Sequence, residues 1–277
     1  MPSHPVITVD RQIWRETGLS AGVRDIPEET AIALTYNGGS YAVMMATPQD
    51  LEDFAIGFSL TEGIISDRAD IDSFEIEPQP DGIELRMWLK PAIAEHLAER
   101  RRHIAGPTGC GLCGIDSIAE AMRPAAVVTP GGHFTARQIM EAMDSLAPLQ
   151  ILNRTTRAVH AAAFWTPERG IVFVREDVGR HNALDKLAGA LLKRAIDTRS
   201  GMILLSSRVS VEMVQKAAVI GAPMIVSVSA PTALAVRMAA AAGITLVAIA
   251  RSDGFELFTH NHRVQFAHPA PLSTGQA

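Results

Sequence analysis

The sequence predicts an α/β protein in which a smaller N-terminal α+β domain precedes a larger α/β domain with helices on both faces of its sheet. Three observations lead there. After Gly170, short continuous apolar runs alternate with stretches of helical period, as strands do when helices cover both faces of a sheet. Before residue 103, strand-like runs instead come in pairs joined by turn residues, the mark of antiparallel hairpins. A chain of 277 residues, 47% hydrophobic and 20% charged, is long and apolar enough to bury both cores. The expected division is an N-terminal domain over 1–103, a cysteine loop and linker over 104–132, the larger domain over 133–268 and a disordered tail over 269–277.

Residues 1–25 carry no regular pattern and read as irregular. Ala31–Tyr36 and Ser40–Ala46 flank Asn37-Gly38-Gly39, a hairpin turn between strand-like runs. Thr47 offers an N-cap and Pro48 a first helical position for a helix over Gln49–Glu62. Its Leu51, Phe54, Ala55 and Phe58 share one stripe, and Gly63 ends it. Ser73–Glu77 and Ile83–Leu89 form a second hairpin through Pro80-Asp81-Gly82, and Pro91–Arg102 is helical. A short helix is expected over Asp116–Met122, after which Pro124, Pro130, Gly131 and Gly132 mark a linker. Thr135 caps a helix to about Leu146, and Ala158–Trp165 is a strand. Strands then follow at Ile171–Arg175, Met202–Leu205, Met224–Val228, Ile244–Ala250 and Phe255–Thr259. Helices separate them at His181–Ile196, Val211–Ile220 and Pro231–Ala242, which argues for a parallel-type sheet.

In open α/β sheets ligands bind beyond the carboxyl ends of the strands. Here those ends carry Glu176-Asp177-Val178-Gly179-Arg180-His181-Asn182, Ser206-Ser207-Arg208, Ser229-Ala230-Pro231-Thr232 and Arg251-Ser252-Asp253-Gly254. Parallel strands would bring all four to one edge. The first three lead into helix N-termini, where free N–H groups and the helix dipole attract anions, and Arg180, Arg208 and Arg251 add planar forks suited to phosphate. Together they read as a pocket for a phosphorylated or nucleotide-bearing ligand. Each segment alone has a plainer reading: Ser210 and Thr232 as helix caps, the arginines as a solvated edge, His181 as a residue that caps and packs. No glycine pattern matches a P-loop or a dinucleotide fingerprint.

Gly109-Cys110-Gly111-Leu112-Cys113-Gly114 holds the only two cysteines of the chain. No second zinc half-site accompanies them: His260 and His262 are one residue apart, and His103 and His133 are isolated. Two cysteines are too few for a secreted disulfide framework, and Met1-Pro2-Ser3-His4-Pro5 lacks the start of a secretory signal, so a reducing cytoplasm is expected. A net charge of −5 provides no global field for nucleic acid or an anionic membrane, and the longest apolar stretches are short of a span. The pair could be two unreactive thiols, a dithiol couple, or a thiolate on a glycine-rich loop that accepts sulfur as a persulfide and hands it on.

Four stretches resemble the FdhD-type family, the formate dehydrogenase accessory sulfurtransferases. They are Cys110-Gly111-Leu112-Cys113-Gly114, Glu176 to Lys186, Arg208 to Ala217 and Ser229 to Ala235; Gly57-Phe58 and Thr61 to Ile65 are similar too. The resemblance implies a sulfurtransferase that takes sulfur from a cysteine desulfurase and passes it to a molybdenum (or tungsten) bis-molybdopterin guanine dinucleotide cofactor for the formate dehydrogenase catalytic subunit. It places the persulfide on Cys110, with Cys113 as an assisting thiol. It puts part of the cofactor-binding surface on Ile249, Ala250, Arg251, Ser252, Asp253 and Gly254, beside Arg180, His181, Asn182, Ser206, Ser207, Arg208, Ser229, Ala230 and Thr232. It further implies a homodimer, a three-layer α/β/α larger domain similar to the cytidine deaminase-like fold, and no metal bound by the protein itself. The chain departs from the family pattern at Ser207 and at Asp253-Gly254.

A zinc deaminase would need His-x-Glu followed by Pro-Cys-x-x-Cys. Here His181 precedes Asn182-Ala183 and the cysteines lie some seventy residues before it, so that reading fails on chemistry. A thiol–disulfide oxidoreductase and a non-catalytic carrier that binds the cofactor and docks on formate dehydrogenase are the remaining alternatives.

Overall fold

The computed structural model describes residues 4–104 and 123–266. Cys110 and Cys113, the expected helix Asp116–Met122 and the expected tail over 269–277 lie outside the described residues.

The chain begins with a hairpin, β1 (Val6–Arg15) and β2 (Gly18–Pro27), antiparallel over its full length. This corrects the irregular reading of residues 1–25. The period-two signal is hidden because both faces are largely solvated, so apolar and charged side chains mix on each: Trp14 stands opposite Leu19 near the tip, and both are exposed. Near the base, Arg24 donates to the Thr156 carbonyl at 3.2 Å.

A four-stranded sheet follows. β3 (Thr30–Tyr36) and β4 (Gly39–Ala46) meet at Asn37 and Gly38, both with positive φ, as a type I′ turn requires. β5 (Ile71–Gln79) and β6 (Gly82–Leu89) form the second hairpin, and the strand order is β4-β3-β6-β5. Helix α1 (Leu51–Thr61) buries Phe54, Ala55 and Phe58 in a core with Leu34, Leu85 and Met87. Thr47 does not cap it, contrary to expectation; the N-cap is Asp50, with φ of 53°. Thr47 is fully buried, and its hydroxyl accepts the Val178 N–H at 3.1 Å instead. Helix α2 (Pro91–Ile104) closes this part.

The larger sheet is built from β8 (His160–Thr166), β9 (Gly170–Asp177), β10 (Met202–Leu205), β11 (Met224–Ser227), β12 (Thr245–Arg251) and β13 (Gly254–Leu257), in the order β13-β12-β11-β10-β8-β9. A separate two-residue pair joins β7 (Phe134–Thr135) to β14 (Val264–Gln265). Within the six-stranded sheet the parallel neighbours are β10, β11 and β12; β8 is antiparallel to both β9 and β10, and β13 to β12. The parallel-type expectation is corrected here for a simple reason. β8–β9 and β12–β13 are hairpins with short connections, which force antiparallel pairing, and a buried apolar run does not encode strand direction.

Helix α3 (Ala136–Leu149) lies on one face, its Ile139, Ala142 and Leu146 against Ala163, Leu204 and Val226. A reciprocal cap between Thr135 and Gln138 starts it, and α4 (Ile151–Thr156) follows. On the opposite face α5 (Arg180–Lys193), α6 (Val211–Ile220) and α7 (Ala233–Ala241) bury Leu184, Leu187, Met213, Val214 and Ala235 against Phe164, Ile203, Leu205 and Ile225. The sheet is therefore the middle of three layers.

Helices α1 and α5 cross so closely that a Cβ on Gly57 would overlap the Asp185 carbonyl oxygen, and one on Gly189 the Asp53 carbonyl oxygen. Beside the crossing, Lys216 donates to Asp185 (2.8 Å), Thr61 (2.9 Å) and Glu62 (3.2 Å), tying α6 to both helices.

Candidate functional site at the carboxyl edge of the sheet

Strand directions decide which loops meet. β8 opposes both β9 and β10, so β9 runs with β10, β11 and β12, and the carboxyl ends of all four face one edge. The four polar segments are thus brought to one edge even though the sheet is mixed. Adjacent loops are stitched together: Val209 N–H donates to Ala230 O at 3.4 Å, Thr232 N–H to Val209 O at 3.0 Å, and Ile249 N–H to Ser229 O at 3.3 Å.

The loop from β9 into α5 is organised by Asp177, whose side chain is fully buried. One carboxylate oxygen accepts from Gly179 N–H (2.8 Å) and Asn182 Nδ2 (2.9 Å). The other accepts from Thr47 N–H (3.0 Å) and from Lys186 Nζ (2.6 Å), itself fully buried. Lys186 also donates to Thr47 O at 2.9 Å, and Asn182 to Met45 O at 2.8 Å. Burial pushes the Lys186 ammonium below its ordinary range, against the pull of Asp177. Glu176 faces elsewhere and accepts the Leu152 and Asn153 N–H groups at the start of α4. Asn182 is thereby committed inside the fold, while Arg180 and His181 stand at the first turn of α5 with Arg180 Nε and His181 Nε2 buried and unpartnered.

Several hydroxyls assigned to a ligand have internal partners. Ser206 Oγ accepts from Ala161 N–H at 2.8 Å, Ser207 Oγ donates to Arg208 O at 3.1 Å, and Thr232 Oγ1 accepts from Ala235 N–H at 3.2 Å as the cap of α7. Ser229 is held through its N–H by Ser227 Oγ at 3.1 Å, next to exposed Ala230. Ser210 does not cap α6 through its side chain; it donates to Glu212 at 2.7 Å. Arg208, Arg251, Ser252 and Asp253 are exposed at the edge. Ile249 has φ of 52°, in a bulge before Arg251, while Ala250 is buried and Gly254 opens β13. A β-branched residue held in the left-handed region stores about 1–3 kcal/mol of strain, which tends to mark functional backbone.

Two members of the edge were not identified from sequence. His160, at the start of β8, pairs in register with Asp177. Glu212 lies 3.5 Å from His181 Nε2, an ion-pair distance but not a hydrogen bond. His160 carried no signal in the sequence; Glu212 lay within the recognisable stretch Arg208 to Ala217 but had no assigned role. Burial, and then the Arg180 charge, hold both His160 and His181 below the usual imidazole range, opposed by Asp177 and Glu212 respectively. Among the described residues no cluster of His, Cys, Asp and Glu could hold a metal ion, and no helix is long and apolar enough to cross a membrane.

Fold and edge together define a layered α/β protein whose carboxyl edge gathers arginines, imidazoles and helix N-termini. The chain belongs to the FdhD/NarQ family, whose model matches residues 27–265. It is 50% identical over 257 residues to the sulfur carrier protein FdhD of Agrobacterium fabrum, covering 92% of this chain and 95% of that one. With the sulfur carrier protein FdhD of Cupriavidus necator it shares 46% identity over 272 residues, 98% of this chain and 93% of the relative. A crystal structure described as a candidate formate dehydrogenase accessory protein from Desulfotalea psychrophila superposes with a TM-score of 0.73 at 25% identity, covering 95% of this chain and all of the other.

Proposed function

We propose that this protein carries sulfur in the maturation of formate dehydrogenase, as a persulfide on Cys110. The observation that carries the reading is that relatives named sulfur carriers match over almost the whole chain, whose only thiols are Cys110 and Cys113. In the loading step the Cys110 thiolate attacks the outer sulfur of a cysteine desulfurase persulfide. A new S–S bond forms on Cys110, and the desulfurase cysteine leaves as thiolate. Cys113 is an assisting thiol.

The client is the molybdenum bis-molybdopterin guanine dinucleotide cofactor, here a substrate and not a resident group. The edge suits its pyrophosphates: Arg180 keeps a buried, unpartnered Nε, Arg208 is exposed just ahead of the α6 N-terminus, and Arg251 is exposed at the end of β12. Arg123, which follows the cysteine segment, is held by Gln215 of α6 at 2.8 Å and itself donates to Thr61 O at 3.3 Å. Arg123 itself thus stands beside a helix whose first turn belongs to the edge. On the same reading the larger unit is of the cytidine deaminase-like type, without its zinc chemistry, and the protein acts in the cytoplasm as a homodimer.

The test is intact-protein mass spectrometry after incubation with an active cysteine desulfurase and cysteine. The expected result is one added sulfur on wild type, removed by reductant and absent from Cys110→Ala. An unmodified wild type would leave a non-catalytic cofactor carrier, and a reversible Cys110–Cys113 disulfide as the sole product an oxidoreductase.

A further inference from the structure

Three side-chain atoms among the described residues are buried without a hydrogen-bond partner, and two of them, Arg180 Nε and His181 Nε2, are neighbours at this edge. We propose that His181 is the proton acceptor of the edge: docking of a dianionic group against Arg180 draws one proton from solvent onto the His181 imidazole, and Glu212 positions that ring. The proposal rests on the reading of the edge as an anion site and adds a proton to its binding equilibrium.

The argument is one of charge placement. Among the described residues three charged groups face His181: Arg180 from its own helix, and Glu212 and Lys216 from α6. Lys216 is already matched by Asp185 at 2.8 Å and Glu62 at 3.2 Å, so its field at the ring is largely offset. Arg180 has no carboxylate partner among the described residues, and its guanidinium acts against a proton on the neighbouring imidazole. A dianion on Arg180 cancels that charge and adds one of opposite sign, so the proton becomes favourable. Glu212 supplies the lasting counter-charge at 3.5 Å. It is itself fixed by the Ser210 hydroxyl at 2.7 Å and, although burial opposes it, held below the usual carboxylate range by Ser210, its own backbone and the nearby positive groups. His160 is faced by Arg180 and Asp177; it follows in the same direction but more weakly, because Asp177 is already compensated by Lys186. The imidazolium then contributes a second positive group to the grip on the ligand.

Sulfate is a suitable probe because it stays a dianion from about pH 5 to 9, so any proton taken up is the protein's. The experiment is a pH titration of the imidazole NMR signals in the full-length protein, in sulfate and in chloride at equal ionic strength, with the Arg180 Nε–H signal followed in parallel. The His181 midpoint is expected to rise by about one pH unit or more in sulfate, the effect of an opposite charge at close range. Glu212→Gln should lower that midpoint in both salts while Arg180 still responds to sulfate. An Arg180 signal that ignores sulfate would refute the anion site itself. A responding Arg180 with an unmoved His181 would overturn the proton coupling alone, as would an equal shift of all nine histidines, which marks a general salt effect.

Discussion

Gly57→Ala is expected to destabilise the protein by about 3 kcal/mol or more, the upper range for overpacking, because the added methyl meets backbone and no side chain can yield. The sign makes the prediction sharp. In an ordinary helix interior the same change stabilises by roughly 0.5–1 kcal/mol. Gly189→Ala should behave alike, since its Cβ would overlap the Asp53 carbonyl oxygen across the same crossing. Each methyl also points toward the other glycine's nitrogen, so once one has forced α1 and α5 apart the second meets less resistance. The double variant should therefore lose less than the sum of the two. Denaturant titration of the three variants measures this; unchanged midpoints would show that the helices do not cross at these glycines.

That crossing also shows where sequence reading runs out. The stripe of Leu51, Phe54, Ala55 and Phe58 announced the apolar face of α1, but nothing local says that Gly57 opens a second face to α5. The Asn37-Gly38 turn, the order of strands and helices after Gly170 and the residues at the strand ends were legible because each rests on local pattern. The direction of β8 and the hairpin at residues 6–27 were not, since pairing and solvation rather than period decide them. The stretch from Glu176 to Lys186 stood out as chemistry, yet the structure turns most of its polar groups inward. Glu176 holds the start of α4, Asp177 pairs with Lys186, and Asp185 pairs with Lys216. The same groups also bind partners distant in sequence, Thr47 lying 130 residues from Asp177 and 139 from Lys186, so no local rule separates wiring from site. Only Arg180 and His181 of that stretch are left with buried, unpartnered atoms at the edge.

Asp177→Asn tests the wiring and is expected to cost about 3–5 kcal/mol, the usual effect of stranding one member of a buried ion pair. The change keeps the shape of the side chain but puts an NH2 group where one acceptor oxygen stood, and Lys186 keeps a buried charge without its paired carboxylate. Burial already depresses Lys186 in the native fold, and loss of the carboxylate depresses it further. A lysine whose folded pKa lies below its unfolded value binds fewer protons when folded, so stability rises with pH between the two values. The deficit of the variant against wild type should accordingly shrink from pH 7 toward pH 9, and Asp177→Asn/Lys186→Met should recover part of it at pH 7. Urea titrations at both pH values decide the matter; a deficit that is small, or that widens as pH rises, would mean that the pair does not carry the charge assigned to it. The site follows the same logic. With one side-chain oxygen left for four donors, the Gly179 N–H and Asn182 pair now competes with Thr47 N–H and Lys186 for a single acceptor, the first turn of α5 loosens, and the sulfate response of Arg180 should weaken even at temperatures where the protein remains folded.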